Sequence, residues 1–314
     1  MIDSRKFTYI SLLLLFLVTI ALMAMTRLLP GFSHIGMGAC LWFFTPFLPL
    51  LIYRSDGIEW LDRTIHGFEC FGLFFLISFI GCLASYPMAA LSSGWVDGYL
   101  LSVDRIIGIN WLDYWWFSKN HPLFFEMLGK AYASIAYTPA AIIAALAGTG
   151  RFDRLYRFLA AHLVCIVVTD VALMFLPATS ALAHFLPPQV PDRPMAGIGH
   201  IAIIQGLRDG TLSTIELTRL AGLITVPSFH AEACVLYSWA VWTLSKVRLP
   251  FLILNGLMML STPVIGGHYF TDVLAGILVA GVVIAASGYL KPSTMYSVMR
   301  GMGWRKPGLV TLSA

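Results

Sequence analysis

The chain has 314 residues, of which 58% are hydrophobic and only 11% are charged. Soluble domains carry about 25% charged residues, so this composition excludes an ordinary soluble enzyme and indicates a protein that lies largely within a membrane. The net charge of +4 is small, and the basic residues lie in loops and in the C-terminal tail, which favours membrane topology over nucleic-acid binding.

Eight apolar segments approach or reach the length of about 20 residues that a membrane-spanning helix needs. In chain order, the predicted spans are Phe7–Leu29, Ile35–Tyr53, Phe68–Leu91, Leu123–Leu146, Leu155–Leu176, His230–Leu244, Pro250–Ile265 and Tyr269–Leu290. The first is longer than the apolar part of a usual signal peptide, about 7–15 residues, so we expect it to remain as a span. The sequence thus predicts an all-α polytopic integral membrane protein with about eight transmembrane helices.

Two stretches between the predicted spans are expected to stay outside the hydrocarbon. Trp95–His121 holds Trp111, Trp115 and Trp116, and tryptophans at this density are typical of an interfacial helix at the lipid headgroup level. Pro177–Thr225 is the longest polar connection and is rich in proline. A connection of this length is typical of a lid or a substrate-binding wall.

We expect three regions along the chain. Residues 1–92 hold N-terminal transmembrane helices, residues 93–290 form a helical catalytic membrane domain, and residues 291–314 form a basic cytoplasmic tail.

The basic residues predict an orientation. Eight spans place the basic loop 151–157, the turn 246–248, the tail and the Arg5-Lys6 pair on one face, and the positive-inside rule makes that face cytoplasmic. We therefore expect a bacterial inner membrane protein with both termini in the cytoplasm. His230 and His268 then lie on the opposite, periplasmic face.

Two short motifs carry the candidate chemistry, and each lies where a loop meets an apolar helix. The first runs from Val226 to His230, and the second from Gly267 to Asp272. His268 and Asp272 are four residues apart, so on a helix they share one face. Asp272 can then hold one ring nitrogen of His268 and leave the other as a basic lone pair. Ser228 can cap the helix that begins near His230, and Gly267 allows the backbone to approach a ligand closely.

This combination of groups suits phosphoryl transfer through a phosphohistidine. His268 attacks phosphorus, His230 protonates the departing oxygen and then serves as base, and Asp272 stabilises the cation on His268. Phosphoryl oxygens need donors, and the candidates are arginines of the long connection, namely Arg193, Arg208 and Arg219. Histidines and arginines cover the roles of a metal, so we expect neither a metal nor another cofactor.

Two other interpretations use the same residues. His200, His230 and His268 can be drawn as a zinc site, but no HExxH pattern or close ligand pair supports one. A non-enzymatic, proton-coupled lipid or solute transporter can use His230, His268 and Asp272 as a proton relay. A transporter needs polar groups along a through-pathway, whereas these groups cluster at one face, which favours an enzyme.

Over about Trp95 to Leu290, the chain resembles the type 2 phosphatidic acid phosphatase superfamily of membrane lipid-phosphate enzymes. Pro227, Ser228 and His230 match its motif P-S-x-H. A second motif, S-R-x5-H-x3-D, is matched by three residues in the order Ser261, His268 and Asp272. Two cations of the family pattern are missing: Thr262 replaces the arginine of this motif, and Leu186 stands where K-x6-R-P has lysine before Arg193-Pro194.

The stretch from Ser261 to Asp272 is similar to the inositol phosphorylceramide synthase branch of that superfamily. The resemblance implies an enzyme that transfers a phosphorylated headgroup from a phospholipid to an acceptor alcohol, with His268 as nucleophile, His230 as acid and base, and Asp272 as the orienting group. The missing cations fit a diester, which is less charged than a monoester. The alternative is a phosphatase acting on a lipid phosphate such as phosphatidate or a polyprenyl diphosphate. The expected partners are lipid substrates, an acceptor lipid alcohol and the membrane, and no nucleic acid.

Overall fold

A computed structural model describes residues 3–31, 45–49 and 58–291 of the chain. Its helices of five or more residues, numbered in chain order, are α1 (Ser4–Thr26), α2 (Glu59–Leu91), α3 (Asp97–Ile106), α4 (Trp111–Lys119), α5 (Pro122–Ala133), α6 (Thr138–Gly148), α7 (Phe152–Phe175), α8 (Ala181–Phe185), α9 (Gly199–Asp209), α10 (Phe229–Val241), α11 (Ser245–Ile265) and α12 (Phe270–Ser287). Short 3-10 turns cover Thr45–Phe47, Ser134–Ala136, Met195–Gly197 and Leu217–Arg219.

One pair of short strands accompanies the helices in the described ranges. β1 (Leu29–Gly31) pairs in parallel with β2 (Thr214–Glu216), with Leu29 opposite Thr214. This pairing ties the end of α1 to the connection between α7 and α10, so both lie at the same end of the helix bundle.

Five of the described helices are long and apolar enough to cross a membrane: α1, α2, α7, α11 and α12. α5 and α6 make a sixth candidate if they are taken together across a bend of 55°. A 3-10 turn and Pro139, in the first turn of α6, account for the bend, because proline cannot donate the hydrogen bond that would continue the helix.

The prediction of an all-α polytopic membrane protein is confirmed, but the count of eight spans is not. The predicted span Ile35–Tyr53 lies outside the described residues, except for 45–49. The predicted span that begins at His230 corresponds to α10, which has only 13 residues. Such a helix is about 20 Å long, short of the hydrocarbon thickness of about 30 Å.

A buried carboxylate fixes three helices at the end of the bundle where the chain begins. Glu69 on α2 accepts hydrogen bonds from Arg5 Nε at 2.7 Å and Tyr9 OH at 2.7 Å, both on α1. It also accepts one from Tyr156 OH on α7 at 2.9 Å. Apolar residues of α1 and α2 share one core with α7 and α10. The boundary at residue 92 stays a prediction, since helices from both sides of it build this core.

The same end of the bundle also holds the end of α12. Ser4 N donates a hydrogen bond to Lys291 O at 3.1 Å, so the start of α1 and the end of α12 are neighbours. The start of α12, which carries Asp272, is therefore at the opposite end of the bundle.

Two of the three tryptophans that we interpreted as headgroup anchors face protein. Trp111 and Trp115 are at most 1% exposed and stack with their ring centroids 5.6 Å apart. Trp111 Nε1 donates to the carbonyls of Pro263 at 3.1 Å and His268 at 3.2 Å. Trp116 is 51% exposed. The indole of Trp111 thus fixes the backbone beside a predicted catalytic residue.

Candidate active site

His268 and Asp272 meet at the start of α12. Gly267, with φ of 71°, turns the chain between α11 and α12, and His268 N donates to Thr262 O at 3.3 Å. His268 Nδ1 lies 3.4 Å from Asp272 Oδ2, and both residues are buried. The same carboxylate oxygen accepts a hydrogen bond from Tyr269 N at 2.9 Å. Asp272 thus caps its own helix and faces the imidazole.

His230 lies in the first turn of α10. Ser228 is the N-cap of this helix, and its hydroxyl accepts a hydrogen bond from Ala231 N at 3.4 Å. Tyr132 of α5 stacks on the imidazole, with ring centroids 3.9 Å apart and planes 12° from parallel. His230 Nε2 is buried and has no hydrogen-bond partner among the described residues, so this nitrogen is free for a ligand.

The two motifs are joined directly through their backbones. Ser228 N donates to Asp272 O at 3.0 Å. One turn further along α12 is Gly276, where an added Cβ would lie 2.5 Å from Ser228 O. The glycine therefore permits the close crossing of α10 and α12 that brings the two histidines into one cavity.

A cavity of about 200 Å³ contains both histidines. Its walls come from α2, α5, α7, α9, the start of α10 and the loop before α12. The lining residues are Ser78, Gly81, Cys82, Ser85, Tyr132, Ile166, Asp170, Ala196, His200, Gly222, Leu223, Ile224, Thr225, Phe229, His230, Gly266 and His268.

The other predicted site residues lie outside this lining. Ser228 and Asp272 lie behind the two histidines, and the cavity is lined by Gly266 rather than Gly267.

The three predicted phosphate-binding arginines also lie elsewhere. Arg193 Nη1 donates to Leu186 O at 2.9 Å. Arg208 donates to Ser92 Oγ and stacks over the Trp95 ring at 4.3 Å, and Arg219 is exposed. No arginine or lysine of the described ranges lines the cavity, so their role as phosphate ligands stays a prediction.

Asp97 and Asp104 support the second motif, and our sequence analysis missed this role. Asp104 accepts hydrogen bonds from Phe270 N at 3.0 Å, Thr271 N at 2.7 Å and Thr271 Oγ1 at 2.6 Å. Asp97 accepts one from Tyr269 OH at 3.1 Å. Burial, and to a smaller extent the nearby carboxylate of Asp97, raises the pKa of Tyr269. The available signal was their spacing of seven residues, which places both carboxylates on one face of a helix.

His200 is a neutral member of the cavity wall. Its Nε2 lies 3.2 Å from Ala178 O, and burial lowers the pKa of the imidazole to about 4. Since a carbonyl only accepts, Nε2 carries the proton. His200, His230 and His268 all line the cavity, yet no three His, Cys, Asp or Glu side chains within the described ranges are arranged to hold a metal ion. The zinc interpretation therefore has no ligand set there.

A family model described as the PAP2 superfamily matches residues 98–286, more than half of the chain. The match spans the helix that carries Asp104, both histidine motifs and most of α12. Searches of curated proteins and of solved structures found no match. Members of this superfamily are generally phosphatases or phosphotransferases that handle lipid phosphate esters. The family match, the helical membrane architecture and the paired histidine motifs agree, and the chain belongs to the PAP2 superfamily.

Proposed function

We propose that this protein is a membrane enzyme that forms a phosphohistidine on His268 and transfers a phosphorylated headgroup from a phospholipid to an acceptor alcohol. The observation that carries this proposal is the meeting of His268 and His230 in one buried cavity, with Asp272 against Nδ1 of His268. That contact leaves Nε2 of His268 as the nucleophilic atom.

In the first step, the lone pair of His268 Nε2 attacks phosphorus, and the bond from phosphorus to the diacylglycerol oxygen breaks. His230, in its protonated form, gives its proton to that oxygen. The positive charge that develops on His268 is stabilised by Asp272 at 3.4 Å. Stacking on Tyr132 holds the ring of His230 in place for the transfer.

In the second step, the oxygen of the acceptor attacks phosphorus, and the bond between phosphorus and His268 breaks. The neutral His230 takes the proton of the acceptor, as microscopic reversibility requires. The enzyme returns to its starting state, with His230 protonated and Nε2 of His268 free.

The charges of the cavity favour a diester substrate. A phosphodiester carries one negative charge, and no arginine or lysine of the described ranges lines the cavity to balance more. Phe229 and His230 bring the first turn of α10 to the cavity. The unpaired N–H groups and dipole of a helix start favour an anion there.

A phosphatase uses the same residues with water as the acceptor, and the test follows from this difference. The purified protein in micelles is given phosphorus-labelled lipid monoesters and diesters, with and without ceramide or diacylglycerol, and the His268→Ala variant is the blank. Label on the acceptor supports transfer. Free phosphate from monoesters supports a phosphatase. Unchanged lipid in micelles, together with pH-driven transport by the protein in sealed liposomes, would support the proton-coupled transporter instead.

We also propose a bacterial inner membrane location with both termini in the cytoplasm and the active site at the periplasmic face. The hydrogen bond between Ser4 and Lys291 supports placing the start of α1 and the end of α12 on the same side of the membrane. The start of α12, which carries the active site, lies at the opposite end of the bundle. The positive-inside rule supports the cytoplasm for that side.

A further inference from the structure

Asp170 is a buried carboxylate in the cavity that the proposed mechanism does not use. It lies on α7, is 1% exposed and lines the cavity with the two histidines. Neither of its oxygens has a hydrogen-bond partner among the described residues. An unpaired buried charge is costly, and charged residues within membrane spans mark functional sites more often than not. The carboxyl group is thus free to form hydrogen bonds with a ligand.

The neighbouring wall, on α2, also offers acceptors. Ser78 and Ser85 both line the cavity. They are seven residues apart on α2, so they lie on the same face of this helix. Ser78 Oγ donates to Phe74 O at 2.9 Å and also hydrogen-bonds His162 Nε2 at 2.9 Å, and Ser85 Oγ donates to Cys82 O at 2.7 Å. Each hydroxyl therefore has a protein acceptor for its only proton and keeps at least one lone pair for a ligand.

A wall of acceptors selects a ligand that donates. Phosphoryl oxygens only accept hydrogen bonds, so they find no donor on Ser78 or Ser85. Hydroxyl groups do suit it. Ser78 and Ser85 are about 10 Å apart along α2 at the usual rise per residue. A single ammonium group cannot reach acceptors that far apart, whereas several hydroxyl groups on one headgroup can.

We propose that Asp170, Ser78 and Ser85 form a hydroxyl-binding subsite that holds a hydroxylated phospholipid headgroup beside His230 and His268. This inference rests on the proposed function, because that function makes the ligand a phospholipid. The α2 wall, Glu59–Leu91, lies outside the family match of 98–286. The subsite therefore combines Asp170 on α7, inside the matched region, with two serines on α2, which precedes that region.

The test measures binding rather than turnover. The full chain with His268→Ala, in micelles, is titrated with phosphatidylglycerol and with phosphatidylpropanol. These two lipids have the same charge and differ by two headgroup hydroxyls. We expect phosphatidylglycerol to bind about tenfold or more tightly, as for the gain of two hydrogen bonds in a buried site. Adding Asp170→Asn should reduce the preference to about twofold or less, and adding Ser85→Ala should reduce it in part.

Glu232→Gln is the matched control. Glu232 is a fully buried carboxylate on α10, but it does not line the cavity, so this change should leave the headgroup preference intact. Equal binding of the two lipids by His268→Ala, or a preference that survives Asp170→Asn, would overturn the subsite.

A turnover experiment separates this inference from the proposed function. In the otherwise unaltered chain, Asp170→Asn should raise KM for phosphatidylglycerol by a larger factor than KM for phosphatidylpropanol. If the unaltered chain turns over neither lipid but shows a binding preference that depends on Asp170, the proposed function fails and the subsite stands. Asp170→Asn keeps the size of the side chain and removes no hydrogen bond among the described residues, so it should not lower Tm. A lower Tm with an intact preference would assign Asp170 to the fold instead.

Discussion

The carboxylate of Asp272 has two contacts, one with the backbone at the start of α12 and one with the imidazole of His268. Its Oδ2 accepts the Tyr269 N–H at 2.9 Å and lies 3.4 Å from His268 Nδ1. The first contact starts α12, and in the proposed mechanism the second orients the nucleophile and offsets its charge during the reaction. A substitution can separate the two roles, because asparagine keeps an oxygen for the backbone but loses the charge.

Asp272→Asn should therefore lower kcat by about 10²-fold or more, the usual contribution of a group that supports acid–base catalysis. It should change stability by less than about 1 kcal/mol, because the amide oxygen can still cap the helix. Label transfer gives kcat and thermal unfolding in micelles gives Tm. Asp272→Ala removes both roles and is the comparison. Full activity in Asp272→Asn would show that the charge is not needed.

The candidate catalytic residues could be identified from the sequence, whereas the residues that support them could not. Pro227, Ser228 and His230, with His268 and Asp272, form local patterns whose spacing has a direct structural meaning. Asp97 accepts a hydrogen bond from the hydroxyl of Tyr269, and Asp104 accepts one from the backbone N–H of Phe270, each about 170 positions away. No local pattern reports such contacts. The structure also places the three predicted arginines away from the cavity, because side chains of a long connection have no fixed direction in the sequence.

At the scale of the elements, the crossing of α10 and α12 determines the site. Ser228 O lies 2.5 Å from the position of a Cβ on Gly276, and Gly281, further along α12, has nothing within 4 Å. The same substitution at these two glycines therefore tests the crossing against an internal control.

Gly276→Ala should destabilise the protein by about 1–3 kcal/mol, because the methyl group meets a backbone oxygen and forces the helices apart. Activity should fall more than stability accounts for, since the shift separates His230 from His268. Gly281→Ala should be neutral or stabilise by up to about 1 kcal/mol through helix propensity. Thermal unfolding and label transfer measure both variants. Equal behaviour of the two would refute the close crossing.

A second contact between helices joins α3 to the start of α12. Asp104 caps the start of α12 from outside that helix with three hydrogen bonds. Asp104→Ala should cost about 1–3 kcal/mol, as expected for lost hydrogen bonds to a charged group at a helix start, and should reduce kcat. Asp113→Ala, on the exposed face of α4, should change neither quantity. An Asp104→Ala variant that keeps both Tm and kcat would remove α3 from the support of the site.

The helices themselves follow from the apolar runs of the sequence, but their breaks and lengths depend on packing. α1, α2, α7, α11 and α12 overlap predicted spans. The bend between α5 and α6 was not predicted, because an apolar run has the same composition whether or not it is broken. The predicted segment His230–Leu244 was already short for a span, and α10 is shorter still.

For the whole molecule, the ends of the helix bundle and the charge pattern agree with the orientation that we propose. The basic residues near Ser245 and the start of α1 belong to the end of the bundle opposite the active site. The connection that carries Ser213 is tied to the other end through the pairing of β1 with β2. Both serines are exposed, and serine to cysteine is a small change, so they make a matched pair of reporters.

Ser213→Cys should react with a membrane-impermeant maleimide in intact bacterial spheroplasts, whereas Ser245→Cys should react only after the cells are opened. The unaltered chain is the blank for its own cysteines. The reverse pattern would place the active site on the cytoplasmic side.

The central claim is that His268 becomes covalently phosphorylated during turnover. The direct measurement incubates the purified protein with a phospholipid that carries labelled phosphorus in its headgroup, without an acceptor, and stops the reaction in alkali. We predict label on the protein that survives alkali, is lost in acid, and is absent from His268→Ala, since phosphorus bound to imidazole nitrogen is acid-labile. Label that persists in His268→Ala, or turnover of lipid by that variant at the rate of the unaltered chain, would contradict the account.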